Sequence, residues 1–387
     1  MKVSISSRLL DKELYDGALN YAFIVHPRGV SDIVRAYPEL VGVSEAAVIQ
    51  QARTTNVHVL SPMTCNMDGR TLHGELLSIP YLAGEFREHL DEVRCALKEV
   101  IDYCEERHVR IAGLGALIPS VTRNGRLLAD HSRSVGITTG HGFTAITIAA
   151  TVLQVEAAMK GPVQIAVLGA AGSTGRSALR CLALDKKERN LTLVDRPSKR
   201  KVLQQLSKLF VTPVGIATDL DAIKDANLVV SVTNATTALL TPEYLSEGCV
   251  VIDDAQPENV SYETVLERPD ITVIKCLASV PSLRCGFDYG LFPKNEVEAK
   301  QEFTFTCLAE TIMLSGVNHQ GHFTVGDPTE GHIRHLINLA GMYGIDIPPF
   351  HSFPEIGMIE KVGSGMRRRV RKFTDDFRPG KSDEVNA

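Results

Sequence analysis

The sequence lacks any apolar run of the roughly 18 residues that a membrane-spanning helix needs, so we expect no membrane span. Its opening stretch, MKVSISSRLLDKEL, contains acidic residues and no apolar h-region, which argues against a signal peptide. A formal net charge of −5 gives no reason to expect nucleic acid as a partner. No internal repeat is present, and 387 residues are too many for one ordinary core, so two or three domains are expected.

The eight cysteines form no C-x-x-C motif, and their spacing fits neither a disulfide framework nor a zinc ribbon. We therefore expect reduced thiols in a cytoplasmic protein, most of them acting as small apolar side chains of the core. Hydrophobic residues make up 44% and charged residues 22% of the chain, which is typical of a soluble globular protein.

The first third of the chain has the pattern of a mixed α/β substrate domain, which we place at residues 1–135. YAFIVHP at 21–27 indicates a buried strand, and residues 57–82 alternate around an Asp-Gly pair in the manner of a β-hairpin. Apolar side chains at helical spacing predict a helix over residues 85–107. Residues 136–161 are interpreted as a linking helix that ends near a Gly-Pro pair.

Residues 162–294 alternate between short apolar strands and helical or turn segments. Five such strands predict an α/β fold built on a central Rossmann-type, doubly wound parallel sheet. A C-terminal helical region at 295–372 and a polar tail at 373–387 complete the predicted organisation.

A glycine-rich loop, VLGAAGSTGRSAL, joins the first of these strands to a helix. Gly169, Gly172 and Gly175 let the backbone turn tightly and approach a pyrophosphate, while the helix start presents free N–H groups. Ser173 and Thr174 belong to the same turn and complete the predicted pyrophosphate site. The alternative is a glycine-rich turn without a nucleotide.

The end of the next strand bears on the choice of cofactor. Asp195 stands where a carboxylate binds the ribose hydroxyls of NAD, about twenty residues after the glycine loop. Arg196 follows at once, with Lys199 and Arg200 just beyond, and this basic cluster favours a 2′-phosphate. We therefore predict NADPH as the cofactor, with NADH as the alternative; Lys199 and Arg200 would otherwise belong to a solvated helix start.

Six segments make the chain similar to the long-chain acyl-(acyl-carrier-protein) reductases. They are GLGALIPSV (113–121), TTGHGFTA (138–145), VLGAAGSTGRSALRCL (167–182), VIDDAQPENV (251–260), ITVIKC (271–276) and FTCLAETIML (305–314). The resemblance implies an NADPH-dependent oxidoreductase that reduces an acyl thioester to an aldehyde through a covalent cysteine thioester. An acyl carrier protein or acyl-CoA is the implied acyl donor.

The resemblance also assigns roles to residues. Cys307, at or near the start of an expected amphipathic helix over 302–314, matches the nucleophilic cysteine of the family, and Lys275 matches its strand-end lysine. We place Lys275 and His141 near the thiol, as cations that lower its pKa or stabilise an oxyanion. The alternatives are an inert core thiol for Cys307, a surface lysine for Lys275, and a role for Glu310 in satisfying nearby donors rather than in acid–base chemistry.

The chain departs from the family pattern at several loops. His141 stands at an asparagine position of the family, and Phe143 stands at a histidine position. Asp254 and Ala255 replace two glycines of the family after the strand VVID. Cys276 and Leu277 replace two more after the strand-end lysine. Since ligands bind at loops after parallel strands, these changes bear on the substrate more than on the fold.

Four further features of the sequence have competing interpretations. Cys276 is a rival nucleophile, and His26 either faces the substrate pocket or is a hydrogen-bonded structural residue. The basic run 367–372, within MRRRVRK, is either a solvated helix end or a docking patch for an acidic carrier protein. Four histidines lack an H-E-x-x-H spacing or a cysteine partner and predict solvated side chains rather than a metal site: His319, His322, His332 and His335.

Three alternative functions stand beside the thioester reductase. A non-covalent NAD(P)-dependent dehydrogenase of shikimate-dehydrogenase type has a Rossmann domain and no covalent step. A glutamyl-tRNA reductase also pairs a cysteine with NADPH, but the position of Cys307 after the Rossmann unit argues against it. A non-catalytic NAD(P)-binding sensor would bind the cofactor without turnover.

Overall fold

The computed structural model describes residues 18–291 and 302–351. The predicted fold class is confirmed: the protein is α/β, with a Rossmann-type parallel sheet beside an N-terminal mixed α/β region. The predicted docking run at 367–372, the polar tail at 373–387 and the first 17 residues lie outside the described residues. No helix within the described ranges is long and apolar enough to cross a bilayer.

The first sheet is built around an apolar parallel centre. Its strands are β1 (Tyr21–Val25), β2 (His58–Met67), β3 (Arg70–Ser78), β4 (Ile111–Leu114), β5 (Gly136–Thr138) and, from later in the chain, β12 (Arg284–Cys285). They run in the order β12-β2-β3-β1-β4-β5. β1 pairs in parallel with both β3 and β4, which explains why YAFIV is a continuous apolar run rather than an alternating one.

The predicted β-hairpin is confirmed as β2 and β3, which pair antiparallel from His58↔Ser78 to Met67↔Arg70. Asp68 and Gly69 form the two-residue turn with φ values of 49° and 74°. Both values are positive, as a type I′ turn requires, and this explains why an Asp-Gly pair marks the turn in the sequence.

The second sheet has the Rossmann order. Its strands are β6 (Gln164–Leu168), β7 (Asn190–Val194), β8 (Gly215–Ala217), β9 (Leu228–Ser231), β10 (Val250–Asp253), β11 (Thr272–Ser279), β13 (Phe303–Phe305) and β14 (Pro349–His351). The parallel strands run β8-β7-β6-β9-β10-β11, which is the doubly wound order 3-2-1-4-5-6. The five predicted strands are all present. β8 escaped prediction because its three residues are not buried and give no apolar pattern.

The helices agree with the sequence pattern in position more than in length. They are α1 (Val30–Ala36), α2 (Glu45–Ala52), α3 (Leu90–Glu106), α4 (Ile118–Val121), α5 (Arg126–His131), α6 (His141–Ala158), α7 (Ser173–Leu182), α8 (Arg200–Ser207), α9 (Tyr262–Glu267), α10 (Thr306–Gly316) and α11 (Glu330–Tyr343). α3 starts later than predicted because Glu85 belongs to a separate short turn, where its carboxylate accepts from the backbone N–H of Leu82.

Helix α6 lies between the two sheets and joins their cores. Fourteen of its 18 residues are buried, so it is a core helix rather than an exposed linker. One apolar cluster runs from Phe23 in β1 through Phe143 in α6 to Val167 in β6. β5 lies within the predicted linking segment 136–161 and β12 within 162–294, yet both pair in the first sheet, and the predicted domain limits stay predictions.

The far end of α6 is fixed by a buried ion network. The guanidinium of Arg189 is 1% exposed and contacts the Glu156 carboxylate at 3.1 Å, and it also bonds to Asp185. Glu156 is 4% exposed and has a second cation, Lys187, at 3.3 Å. Because a buried carboxylate needs a partner, this network ties α6 to the segment that precedes β7.

Arg189→Met is expected to lower the free energy of unfolding by roughly 3–5 kcal/mol, because it leaves the buried Glu156 carboxylate with one exposed partner. Urea denaturation followed by circular dichroism measures the loss. The control is the double variant Arg189→Met/Glu156→Leu, which removes both charges and should regain most of the stability. A double variant as unstable as the single one would show that the ion pair is not the cause.

Candidate active site in the cleft between the sheets

A cleft of about 1270 Å³ lies where the parallel strands of both sheets end. Its lining includes residues at the carboxyl ends of β1, β3 and β4 in the first sheet and of β6, β7, β9 and β10 in the second. Ligands of open α/β sheets bind at such carboxyl ends, beside the point where the strand order reverses. Here that point lies between β6 and β9.

The glycine loop forms one side of the cleft. Gly169 has φ of +81°, and a Cβ there would lie 2.8 Å from the carbonyl oxygen of Val232. Only glycine therefore leaves room at this turn. Gly172, Ser173 and Thr174 line the cleft at the start of α7, and Gly175 is buried beneath the loop.

The hydroxyl of Ser173 is already engaged. It donates to Asp327 at 2.8 Å, and the guanidinium of Arg176 binds the same carboxylate. Asp327 comes from the loop before α11, so the C-terminal region fixes the first turn of α7. The backbone N–H groups of that turn are then the polar groups that the loop offers to an anion.

Three predicted cofactor residues lie together beyond the glycine loop. The Asp195 carboxylate accepts from the backbone N–H of Ala171 at 2.9 Å and from that of Arg196 at 2.8 Å. The side chain of Arg196 is exposed and that of Lys199 is half-buried, and both line the cleft. Two cations and one backbone-bonded carboxylate therefore lie together at the end of β7.

Cys307 is the second residue of α10 and lines the opposite part of the cleft, against Gly140. The helix expected here is confirmed, but it is not amphipathic, since nearly all of its residues are buried. Removal from water raises the pKa of the Cys307 thiol to about 12, and the nearby Asp254 charge adds to the rise. The thiol is therefore neutral at physiological pH, although it stands at a helix start.

Neither predicted cation makes a hydrogen bond to the thiol among the described residues. Lys275 is 1% exposed, and its Nζ donates to the carbonyl oxygen of Ala255 at 3.0 Å and lies 3.7 Å from Glu258 Oε1. His141 begins α6 and lines the cleft, but burial lowers its pKa to about 4, so it is neutral. Its Nδ1 has no hydrogen-bond partner among the described residues. Catalytic roles for these side chains stay predictions.

Glu310 supports the site from beneath. Its carboxylate accepts a hydrogen bond from the backbone N–H of Phe143 at 2.8 Å and another from the Thr138 hydroxyl. The first N–H groups of a helix have no partner within the helix, and Glu310 supplies one for α6. Burial raises its pKa. These contacts agree with the interpretation that Glu310 satisfies local donors.

Asp254 is a titratable residue of the cleft that the sequence pattern does not assign to catalysis. It follows β10 directly, is half-buried and lines the cleft. Burial raises the pKa of its carboxyl to about 7, with Lys275 opposing the rise and Asp253 adding to it. The sequence carries a signal for it, since an acid stands directly after an apolar strand, at a loop where ligands bind in such sheets.

Cys276 and His26 each make local contacts. Cys276 is buried, its thiol contacts the Thr151 hydroxyl at 3.5 Å, and burial raises its pKa. His26 lines the cleft, but its Nε2 accepts from the backbone N–H of Leu117 at 3.2 Å and its Nδ1 bonds to Pro27. Across residues 18–291 and 302–351, no group of three or more His, Cys, Asp or Glu side chains could hold a metal ion.

The chain was compared with known families and proteins. No family model matches it. The aminotransferase PigE of Serratia sp. (strain ATCC 39006) is 25% identical over 301 residues, which cover 74% of this chain and 34% of PigE. The chain thus spans about a third of the length of this curated relative.

Solved structures match the chain at low identity. The NAD-dependent malic enzyme of Thermotoga maritima is 13% identical with a TM-score of 0.41, covering 92% of this chain and 83% of that one. The malic enzyme of Entamoeba histolytica is also 13% identical, with a TM-score of 0.41 and coverage of 96% and 72%. At this distance the likenesses say nothing about the substrate.

The resemblance to the acyl-(acyl-carrier-protein) reductases is wrong. The comparisons return an aminotransferase and malic enzymes in its place. The segments that suggested this family are mainly a glycine loop and the ends of strands. Such segments recur in dinucleotide-binding folds whatever the reaction, so they do not identify a substrate.

Glu310→Ala is expected to lower the free energy of unfolding, because it leaves two buried donors without an acceptor at about 1–3 kcal/mol each. Glu310→Gln should be nearly neutral, since the Gln oxygen can accept from Phe143 N–H and its amide can donate to Thr138. Thermal unfolding of the two variants measures the difference. Loss of cofactor-dependent activity in a fully stable Glu310→Gln variant would instead make the negative charge part of the chemistry.

Proposed function

We propose that the protein is an NAD(P)(H)-dependent oxidoreductase that interconverts a carbonyl group and the corresponding hydroxyl or amine, without a covalent enzyme intermediate. One observation carries the proposal. A single cleft has the dinucleotide-type glycine loop on one side and the ionisable residue Asp254, with His141 and Cys307, on the other. Binding and chemistry would therefore share one continuous space.

The residues present fit a dinucleotide. At Gly169 the loop passes so close to Val232 that a Cβ would clash, which gives the tight turn of a dinucleotide-binding loop. The first N–H groups of α7 follow this turn and would bind the pyrophosphate. In the Rossmann arrangement the adenosine lies over the second strand and the nicotinamide beyond the switch point. Asp195 would then hold the adenosine end, while Asp254 after β10 would stand on the nicotinamide side. When bound, the nicotinamide supplies or accepts a hydride.

A non-covalent reaction is favoured by the state of Cys307. A cysteine attacks a thioester as the thiolate, and the pKa of about 12 keeps this thiol protonated at neutral pH. Hydride transfer to a carbonyl needs no nucleophile from the protein. It needs a held cofactor, an oriented substrate and a proton source.

NADPH is the proposed cofactor. Arg196 and Lys199 line the ribose end of the cleft, where their charges suit a 2′-phosphate. Arg200 is the next cation along the chain, and it is exposed and does not contribute to the described lining. The three side chains therefore offer a direct test.

Arg196→Ala/Lys199→Ala should weaken NADPH binding by about tenfold or more, since hydrogen bonds to charged groups contribute about 1.5–3 kcal/mol. NADH binding should change little, because it lacks the 2′-phosphate. Isothermal titration calorimetry gives both Kd values. Arg200→Ala is the matched control and should bind NADPH as the wild type does. Equal loss of NADH and NADPH binding would point to a general collapse of the loop.

The function is tested by cofactor absorbance with aldehydes, 2-oxo acids, ketones and imines, each in both directions. Cys307→Ser should keep kcat/KM within about threefold, because the thiol takes no part in hydride transfer. Intact-protein mass spectrometry with acyl-CoA donors runs beside it. A mass increase that NADPH discharges, lost in Cys307→Ser, would overturn the non-covalent mechanism. Tight NADPH binding with no turnover of any substrate would instead indicate a sensor.

A further inference from the structure

We propose that Asp254 is the catalytic acid and base of the reaction, donating a proton to the substrate oxygen or nitrogen in reduction and taking it back in oxidation. The proposal rests on the proposed oxidoreductase function and adds the residue that handles the proton. Neither the sequence pattern nor any relative assigns a role to this side chain.

The geometry separates Asp254 from its neighbour Asp253. Successive residues of an extended strand point to opposite sides, and the two acids do so at the end of β10. The Asp253 carboxylate is fully buried and accepts from the backbone N–H groups of Asn259 at 2.7 Å and Val260 at 2.9 Å. Its role is to hold the loop after β10.

Asp254 has the opposite environment. Its backbone N–H donates to the carbonyl oxygen of Ser231 at 3.0 Å, which fixes it beside the end of β9. No described residue donates a hydrogen bond to its carboxyl, which lines the cleft close enough to Cys307 to influence its ionisation. A carboxyl held on a rigid strand end, with its oxygens unengaged and facing a ligand cleft, is placed to exchange a proton with that ligand.

The charges that act on Asp254 come from the end of its own strand and from the next strand. Lys275 on β11 favours the carboxylate, and Asp253 on β10 opposes it. Lys275 also interacts with Glu258, since its Nζ lies 3.7 Å from Glu258 Oε1, and this interaction offsets part of its effect on Asp254. Partial burial and this balance raise the pKa of Asp254 to about 7, so both protonation states are populated at neutral pH.

Three other ionisable groups of this part of the cleft are less suited to the same work. The pKa of His141 is lowered to about 4, so at neutral pH it is not an imidazolium acid. The pKa of Cys307 is raised to about 12, so it stays a neutral thiol. The thiol of Cys276 is buried beside Thr151 with a raised pKa. Among these four groups, Asp254 is the one whose protonation changes near pH 7.

The step balances as follows. In reduction the carbonyl carbon forms a C–H bond with the incoming hydride, and its C=O π electrons move to oxygen. The O–H bond of the Asp254 carboxylic acid breaks, and its proton forms the product hydroxyl. The cofactor leaves oxidised by two electrons, and the Asp254 carboxylate regains a proton from water in the open cleft. Oxidation reverses each change, starting from the carboxylate.

The test is the pH dependence of kcat/KM with the full chain, NADPH and whichever substrate of the absorbance panel turns over. Reduction needs the protonated acid, so its rate should be level at low pH and fall tenfold per pH unit above about 7. Oxidation needs the carboxylate and should rise with pH to a plateau. Asp254→Asn should lower kcat by roughly 10²–10⁴-fold and remove the change of rate near pH 7. The Kd for NADPH should stay unchanged within about twofold.

Three other variants sharpen the result. Asp91→Asn neutralises an almost fully exposed carboxylate and should leave both rate and profile as in the wild type. Lys275→Gln removes the cation that favours the Asp254 carboxylate, so the pH above which the reduction rate falls should become higher. Asp254→Ser, checked by circular dichroism, guards against a folding defect peculiar to Asn.

The outcomes separate the two proposals. If the wild type turns over substrate and Asp254→Asn keeps the same rate and the same pH dependence, the role of Asp254 is overturned. The proposed oxidoreductase function is then unaffected. A wild type that binds NADPH but turns over nothing overturns the proposed function and the proton role with it. Both proposals are supported if the change of rate near pH 7 disappears in Asp254→Asn and moves to higher pH in Lys275→Gln.

Discussion

The cleft depends on the Glu310 carboxylate beneath the first turn of α6. That turn holds Gly140 and His141 and begins where β5 ends, so its position sets one side of the cleft. Glu310 lies one turn along α10 from Cys307, and the Thr144 and Thr306 hydroxyls bond at 2.8 Å. The starts of α6 and α10 are therefore joined by polar contacts inside an apolar core, where a displaced donor would lose its partner.

The local parts of the fold could be predicted from the sequence because their causes are local. The Asp68-Gly69 turn, the apolar YAFIV strand and the glycine loop each show their conformation in a few adjacent residues. β8 and the pairing of β12 with β2 could not, since one is too short for a pattern and the other joins segments more than two hundred residues apart.

The chemistry of the site was harder to predict than its location. A cysteine near a helix start indicated an easily ionised thiol, but the pKa of Cys307 is set by burial, which depends on helices and sheets distant in sequence. The same applies to Asp254, whose raised pKa depends on Lys275 from the next strand. Which atoms lose water on folding is a property of the whole chain, whereas motifs describe neighbours along it.

The continuity of the core through α6 bears on how ligands enter and leave. In many two-domain enzymes a hinge opens the cleft, but here a rotation of one sheet away from the other would separate α6 from α7, α10 or β11 and expose apolar surface. At about 25 cal/mol for each Å² exposed, such an opening is strongly opposed. The two sheets therefore form a cleft of fixed width, which a ligand would enter by movements of loops and side chains rather than by opening of a hinge.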